Sequence, residues 1–188
     1  QVENRLRGAG QSIVAADLAA IYLMDRQPEA ALRVLASTRL AGLPDNVRLE
    51  RRVLEAAAYL ELGRYGNTIE LLEGVDRPDA RALVAEAHWR DRDWPAAASA
   101  YLALSPEAAN LGPETRQSVM RAAIAYRLAG DRAGLEGMRS RYLTAMLKTP
   151  DAETFDWLTS RAEISSMALT QAVSEIADRP RVDAFWKS

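Results

Sequence analysis

Few residues of this chain are of a type that could carry out chemistry. Its 188 residues include one histidine, His88, and no cysteine, which excludes thiolate nucleophiles, disulfides and cysteine-based zinc or iron–sulfur sites. The sequence has no glycine-rich phosphate loop, no G-x-S-x-G nucleophile turn and no H-E-x-x-H metal motif. Three carboxylates, Asp151, Glu153 and Asp156, cluster at a predicted helix start, where negative charge offsets the helix dipole. We therefore predict no catalytic residue, metal ligand or cofactor, and a chain that is not an enzyme.

The composition argues against nucleic-acid and membrane partners. Hydrophobic residues make up 48% and charged residues 27% of the chain, and the net charge is −2. Nucleic-acid-binding domains are usually clearly basic, and no run approaches the ~18 apolar residues of a membrane span. Alanine is abundant and only Lys148 and Lys187 are lysines among many arginines, a bias typical of high-GC bacterial genomes. The start at Gln1 predicts a piece of a longer bacterial protein.

Apolar residues recur at helical spacing along the whole chain, which predicts an all-α fold. Residues 1–10 are predicted to be a linker or the end of a preceding element. Helices are predicted at 11–26, from Pro28 to near Gly42, and then at 45–63, 65–74, 79–91, 94–104, 114–129 and 132–147. Three further helices are predicted near 151–160, 164–177 and 181–187. We expect helical repeats over 11–147 and C-terminal capping helices over 148–188.

An alanine followed three residues later by a ring recurs four times. The pairs are Ala19/Tyr22, Ala56/Tyr59, Ala85/His88 and Ala123/Tyr126. Successive rings are separated by 37, 29 and 38 residues, close to the ~34-residue period of helix-turn-helix repeats. A unit of two short helices cannot bury its apolar face alone, so consecutive units are expected to stack. His88 occupies a ring position, and we predict that it packs rather than reacts.

These units resemble tetratricopeptide repeats, whose pattern is W-x₂-L-G-x₂-Y, then A-x₃-F and a proline. The first unit offers Ala19, Tyr22, Ala31 and Leu35, with Pro44 one place late. The family's tryptophan position departs from the pattern in every unit, where it holds Ala15, Arg52, Arg81 and Val119. The resemblance covers residues 11–147. It implies a right-handed superhelical stack of about four helical hairpins with a C-terminal helical cap.

In this family the first helices line a concave groove that takes an extended peptide or a helix. The resemblance places nine residues of this chain on that groove: Leu23, Val53, Leu60, Glu86, Trp89, Arg90, Met120, Ile124 and Arg127. The Lys and Asn with which co-chaperone members clamp a peptide carboxylate are missing. What remains is a mostly apolar surface with Trp89 near its middle, the usual anatomy of a protein-binding hot spot.

Two other features bear on this hypothesis. Arg48, Arg51 and Arg52, offset by Glu50 and Glu55, are interpreted as a solvated face or as a contact for an acidic partner. The segment 151–188 carries many apolar side chains. It either caps the open end of the stack only or also fills the groove.

The resemblance implies a non-catalytic scaffolding module of a larger bacterial protein, which binds a protein or peptide partner. Similarity to the helical-repeat tails of exported envelope proteins implies the periplasm, in cell-envelope or motility-apparatus assembly, with the cytoplasm as the alternative. Two alternative functions stay open: a structural spacer or self-association domain, and a peptidoglycan- or carbohydrate-handling domain that uses exposed tryptophans and carboxylates. The sequence identifies neither the partner nor the oligomeric state.

Overall fold

The computed structural model describes residues 2–105, 111–160 and 166–177. These residues form ten α-helices and no strand, which confirms the all-α prediction. The helices are α1 Val2–Met24, α2 Pro28–Ser37, α3 Asp45–Glu61, α4 Tyr65–Leu72, α5 Pro78–Arg90, α6 Trp94–Ala103, α7 Pro113–Leu128, α8 Arg132–Met146, α9 Ala152–Thr159 and α10 Ser166–Ala177.

Most predicted boundaries agree with these helices to within a few residues. Residues 2–10, predicted as a linker or the end of a preceding element, belong to α1, which continues without a break from Val2 to Met24. Helix α2 ends at Ser37 and not near Gly42, because Ser37 and Thr38 both donate side-chain hydrogen bonds to Val34 O and so compete with helix propagation. The helix predicted at 181–187 lies outside the described residues.

The first compact unit of the structure contains the described residues up to Ala87. In it α1 packs against α2 and α3, and α3 packs against α2 and α4. Ala19 and Ala56 are fully buried where these helices meet, since a small side chain lets two helices approach closely. Leu35, Leu54 and other aliphatic residues complete the core of this unit.

The second compact unit contains the described residues from His88 onward. Helix α7 is its centre, because α6, α8, α9 and α10 all pack against it. Ala123 in the middle of α7 is fully buried, as are Tyr142 of α8 and Phe155 and Leu158 of α9. The segment that follows α8 therefore contributes to the core of this unit.

The turn after each ring-bearing helix has the same geometry at all four places. The backbone N–H five residues after the ring residue donates to the ring residue's own carbonyl at 2.8 to 2.9 Å. The backbone N–H four residues after the ring residue donates, at 3.1 Å, to the carbonyl of the residue that directly follows the ring residue. This pair of hydrogen bonds closes a helix end when one residue adopts a left-handed conformation. The left-handed residues are Arg26, Gly63, Arg92 and Gly130. The second helix then begins six residues after each ring, at Pro28, Tyr65, Trp94 and Arg132.

Candidate functional site

The predicted groove residues of the first unit lie in its packed interior. Leu23, Val53 and Leu60 are each at most 6% exposed and belong to one hydrophobic core. Glu86 is half-buried and takes part in a polar interaction. The exposure that a partner contact requires is therefore missing at the three apolar positions, because the neighbouring helices of the same chain already cover them.

The predicted groove residues of the second unit are also largely enclosed. Trp89, Met120 and Ile124 are buried, whereas Arg90 and Arg127 are half-buried. Helices α6, α8, α9 and α10 all pack against α7, the helix that carries Met120, Ile124 and Arg127. The resemblance placed these residues on an open groove, and it could not show which other helices of the chain pack against α7. A partner-binding role for these residues stays a prediction.

Trp89 is the centre of an aromatic cluster, not an exposed anchor. Its ring meets the rings of Trp94 and Tyr101 edge-on, with centroids 5.5 and 5.9 Å away. The buried guanidinium of Arg121 lies over both Trp89 and Tyr101, at 5.4 and 5.5 Å from their centroids, and donates to Tyr101 Oη at 2.7 Å. Because each ring packs against another member of the cluster, these contacts hold α5, α6 and α7 together within the second unit.

Arg127 closes the end of α9. Its Nε and Nη2 donate to Leu158 O at 3.0 and 2.6 Å, and Nη2 also donates to Ser160 O at 2.6 Å. Cations are favoured at helix C-termini, where unpaired carbonyls concentrate negative charge. Burial, followed by the charge of Arg132, lowers the pKa of Arg127 from its ordinary value. Arg127 thus holds the end of a neighbouring helix.

Two further arginines close helix ends in the first unit. Arg51 is buried and donates to Leu35 O, near the end of α2, at 2.5 Å and to Ser12 O at 3.0 Å. Arg52 donates to Leu71 O and Glu73 O at the end of α4. The predicted solvated face is therefore wrong for Arg51 and Arg52, because their partners are backbone carbonyls of other helices. Arg48 is exposed and pairs with Asp45.

One face of α1 exposes four large apolar side chains. Ile13, Val14, Ile21 and Met24 are each between 48% and 65% exposed. At about 100° per residue, they fall within an arc of about 100° along roughly three helical turns. We call Ile13, Val14, Ile21 and Met24, with Asp17 between them, the α1 stripe. Apolar residues at helical spacing predict a helix here, but the spacing does not show which of them stay uncovered.

His88 and the carboxylates are the potential metal ligands among the described residues. No three of their histidine, aspartate and glutamate side chains converge in a way that could hold a metal ion. His88 Nδ1 lies 3.3 Å from Asp93 Oδ2, and Asp93 Oδ1 accepts a hydrogen bond from Ala96 N at the start of α6. The backbone hydrogen bond from Asp93 N to His88 O, at 2.9 Å, closes the turn between α5 and α6. Within the described part of the chain, no helix is both long and apolar enough to cross a membrane.

Comparison with known proteins gives no relative from which a function could be transferred. No protein-family model, no curated protein and no solved structure matches the chain. The α1 stripe is therefore the candidate site on the strength of its own geometry.

Proposed function

We propose that this chain is a non-catalytic, protein-binding scaffold. It consists of four helical hairpins that stack as tetratricopeptide-like units, and it binds a partner through the α1 stripe. The proposal keeps the scaffolding role expected from the sequence and moves the contact surface from the predicted groove to an exposed helix face.

The four equivalent turns support the hairpin part of the proposal. Each has the same pair of backbone hydrogen bonds at the same distance from its ring residue, and each starts the next helix at the same offset. Ala19, Ala56, Ala85 and Ala123 are all fully buried. Units that are alike in their turns and in their small packing positions are what a stacked repeat requires.

The α1 stripe is the observation that carries the binding part of the proposal. Single exposed apolar residues are common and need no explanation, but an aligned set of large ones on one face is typical of an interaction site. Covering these four side chains would remove apolar surface from water, which favours binding by about 25 cal/mol for each Å² covered. A protein surface is the expected cover, since the stripe is the convex outer face of a single helix.

Photo-crosslinking tests this proposal directly. A photoreactive residue placed at Val14 is expected to give a defined adduct in an extract of the source bacterium, and Ile21→Glu in the same chain is expected to abolish it. Leu147→Glu is the matched control, because Leu147 is also a large exposed apolar residue but lies outside the stripe. An adduct that survives Ile21→Glu, or the absence of any adduct, would contradict the proposal.

A further inference from the structure

An acidic residue lies inside the α1 stripe. The helix register places Asp17 between Ile13 and Ile21, and its side chain is exposed. In the part of the chain that the structure describes, Asp17 makes no hydrogen bond or ion pair. The helix contains no lysine or arginine from Gly10 to Met24. Any protein that covers the stripe must therefore meet a carboxylate which this face of the helix does not neutralise.

This carboxylate selects the type of partner. Burying an unpaired charge costs several kcal/mol, so a cover that is wholly apolar would lose much of what it gains from Ile13, Val14, Ile21 and Met24. A partner with a lysine or arginine opposite Asp17 avoids that loss and forms a charge-assisted hydrogen bond.

Contact between the stripes of two copies of this chain does not satisfy Asp17. If two stripes packed in parallel, the two Asp17 side chains would face each other directly. If they packed antiparallel about the stripe's midpoint, Asp17 of each copy would lie about three residues, or ~4.5 Å along the axis, from the other. Both arrangements place like charges together in a desolvated contact, which opposes association.

The shape of the stripe favours a helix as the partner. A helix uses its backbone hydrogen bonds internally, so this face cannot hold an extended strand through backbone pairing. It can hold a second helix by side-chain interdigitation. The four apolar residues extend over about 16 Å, which matches about three turns of a partner helix.

We infer that the α1 stripe binds an amphipathic helix whose apolar face carries one basic side chain opposite Asp17. This inference rests on the proposed function and makes it specific. Ile13, Val14, Ile21 and Met24 supply the apolar contact. Asp17 sets the register and the choice among partners, because electrostatic complementarity determines specificity more than affinity.

Designed peptides test the inference without knowledge of the natural partner. The probes are three helical peptides of about 18 residues with leucines on one face, which differ only in one central residue of that face: arginine, glutamine or glutamate. Binding to the full chain is measured by fluorescence anisotropy. The arginine peptide is expected to bind about tenfold more tightly than the glutamate peptide. Asp17→Arg is expected to reverse this order, and Asp17→Asn to remove the preference for arginine.

The outcomes separate this inference from the proposed function. If all three peptides bind equally and Ile21→Glu abolishes their binding, the basic partner is wrong and the binding surface stands. If no peptide binds, or if light scattering shows a dimer that Ile21→Glu converts to a monomer, the inference is overturned. If Ile21→Glu also leaves the Val14 photo-adduct intact, the proposed function fails as well. A photo-crosslink formed within one chain would place the protein's own residues over the stripe and would equally overturn the inference.

Discussion

At the scale of single residues, the structure depends on close contacts made by small side chains and on arginines that close helix ends. Arg51, Arg52 and Arg127 each donate to backbone carbonyls at the end of a neighbouring helix. The planar guanidinium can donate to two acceptors at once, which an ammonium group on a flexible chain does less well. This use gives a physical role to the excess of arginine over lysine.

Gly134 is expected to be indispensable to the packing of α8. A Cβ atom at this position would lie 2.5 Å from Tyr126 Cε1 and 2.8 Å from Asp131 Oδ2, so Gly134→Ala must displace the ring or the helix. Gly137, in the same helix, has open space around its Cα. Urea denaturation should show Gly134→Ala destabilised by about 1–3 kcal/mol and Gly137→Ala stabilised by up to ~1 kcal/mol. Equal effects of the two substitutions would refute the contact.

Tyr142 is expected to make stability depend on alkaline pH. Its hydroxyl donates to Ser105 O, and burial raises its pKa above the ordinary 10.0, an effect that Arg141 partly opposes. Above pH 10 the unfolded chain loses this proton first, so the free energy of unfolding falls by at most about 1.4 kcal/mol per pH unit. Below pH 10 the contribution is constant. Unfolding free energies measured from pH 8 to 11 should fall less steeply for Tyr142→Phe, and parallel curves would contradict the assignment.

The sequence predicted some residue roles and missed others for a definable reason. The buried positions Ala19, Ala56, Ala85 and Ala123 followed from a repeated local pattern, which is present in the sequence itself. The burial of Arg51 did not follow, because it depends on carbonyls that lie 16 and 39 residues away along the chain. No local spacing encodes such a pairing.

At the scale of helices, the common turn is what makes the hairpins alike. Each turn needs one residue in the left-handed conformation, and glycine supplies it at Gly63 and Gly130. Arg26 and Arg92 adopt it with φ of 56° and 61°, at a conformational cost of about 1–2 kcal/mol each. The sequence predicted helix ends near these turns, but it did not predict that the arginines would take the same role as the glycines.

Replacing Arg92 with glycine should therefore stabilise the protein. Arg92→Gly removes the Cβ that makes the left-handed conformation costly, and a gain of about 1 kcal/mol is expected. The control is Arg33→Gly, at an exposed position inside α2, where glycine should instead cost about 1 kcal/mol. Thermal unfolding of both variants provides the comparison. A destabilised Arg92→Gly would show that the arginine side chain contributes more than its backbone strain costs.

The attachment of α9 to α7 should depend on the forked guanidinium of Arg127. Lysine keeps the charge but cannot donate to Leu158 O and Ser160 O in the same way, so Arg127→Lys is expected to cost about 1–3 kcal/mol. Arg48→Lys, in an exposed pair with Asp45, should change stability by less than about 0.5 kcal/mol. Urea titrations monitor both. If the two variants were equally stable, the proposed closure of α9 would contribute nothing.

The same contacts explain why the predicted groove could not be identified from the sequence. The sequence placed Met120, Ile124 and Arg127 of α7 on an open groove and predicted capping helices over 148–188. Whether α9 and α10 also cover α7 depends on tertiary packing. The residue types at Phe155, Leu158 and Arg127 do not predict that packing. Substitutions at Trp89 and Arg127 therefore report on stability, since Trp89→Ala would remove a buried ring at a cost of about 3–5 kcal/mol.

At the scale of the whole molecule, the proposed function depends on the α1 stripe, which the described residues of the chain leave uncovered. The apolar side chains of Ile13, Val14, Ile21 and Met24 have no role in either core, and Asp17 lies among them without a counter-charge in the described helix. These features describe a surface that a partner helix would complete. Helices α2 and α3 pack against α1 and would hold the stripe in place for that partner.

Hydrogen exchange with the partner bound is the most direct test of this account. The protein recovered by the Val14 photo-crosslink would be purified, mixed with the unmodified chain, and amide exchange compared with that of the free chain. We predict that exchange slows over residues 13–24 of α1 and that Ile21→Glu abolishes the slowing, with no comparable change around Trp89 or Met120. Protection confined to the second unit, with α1 exchanging as it does in the free chain, would contradict the account.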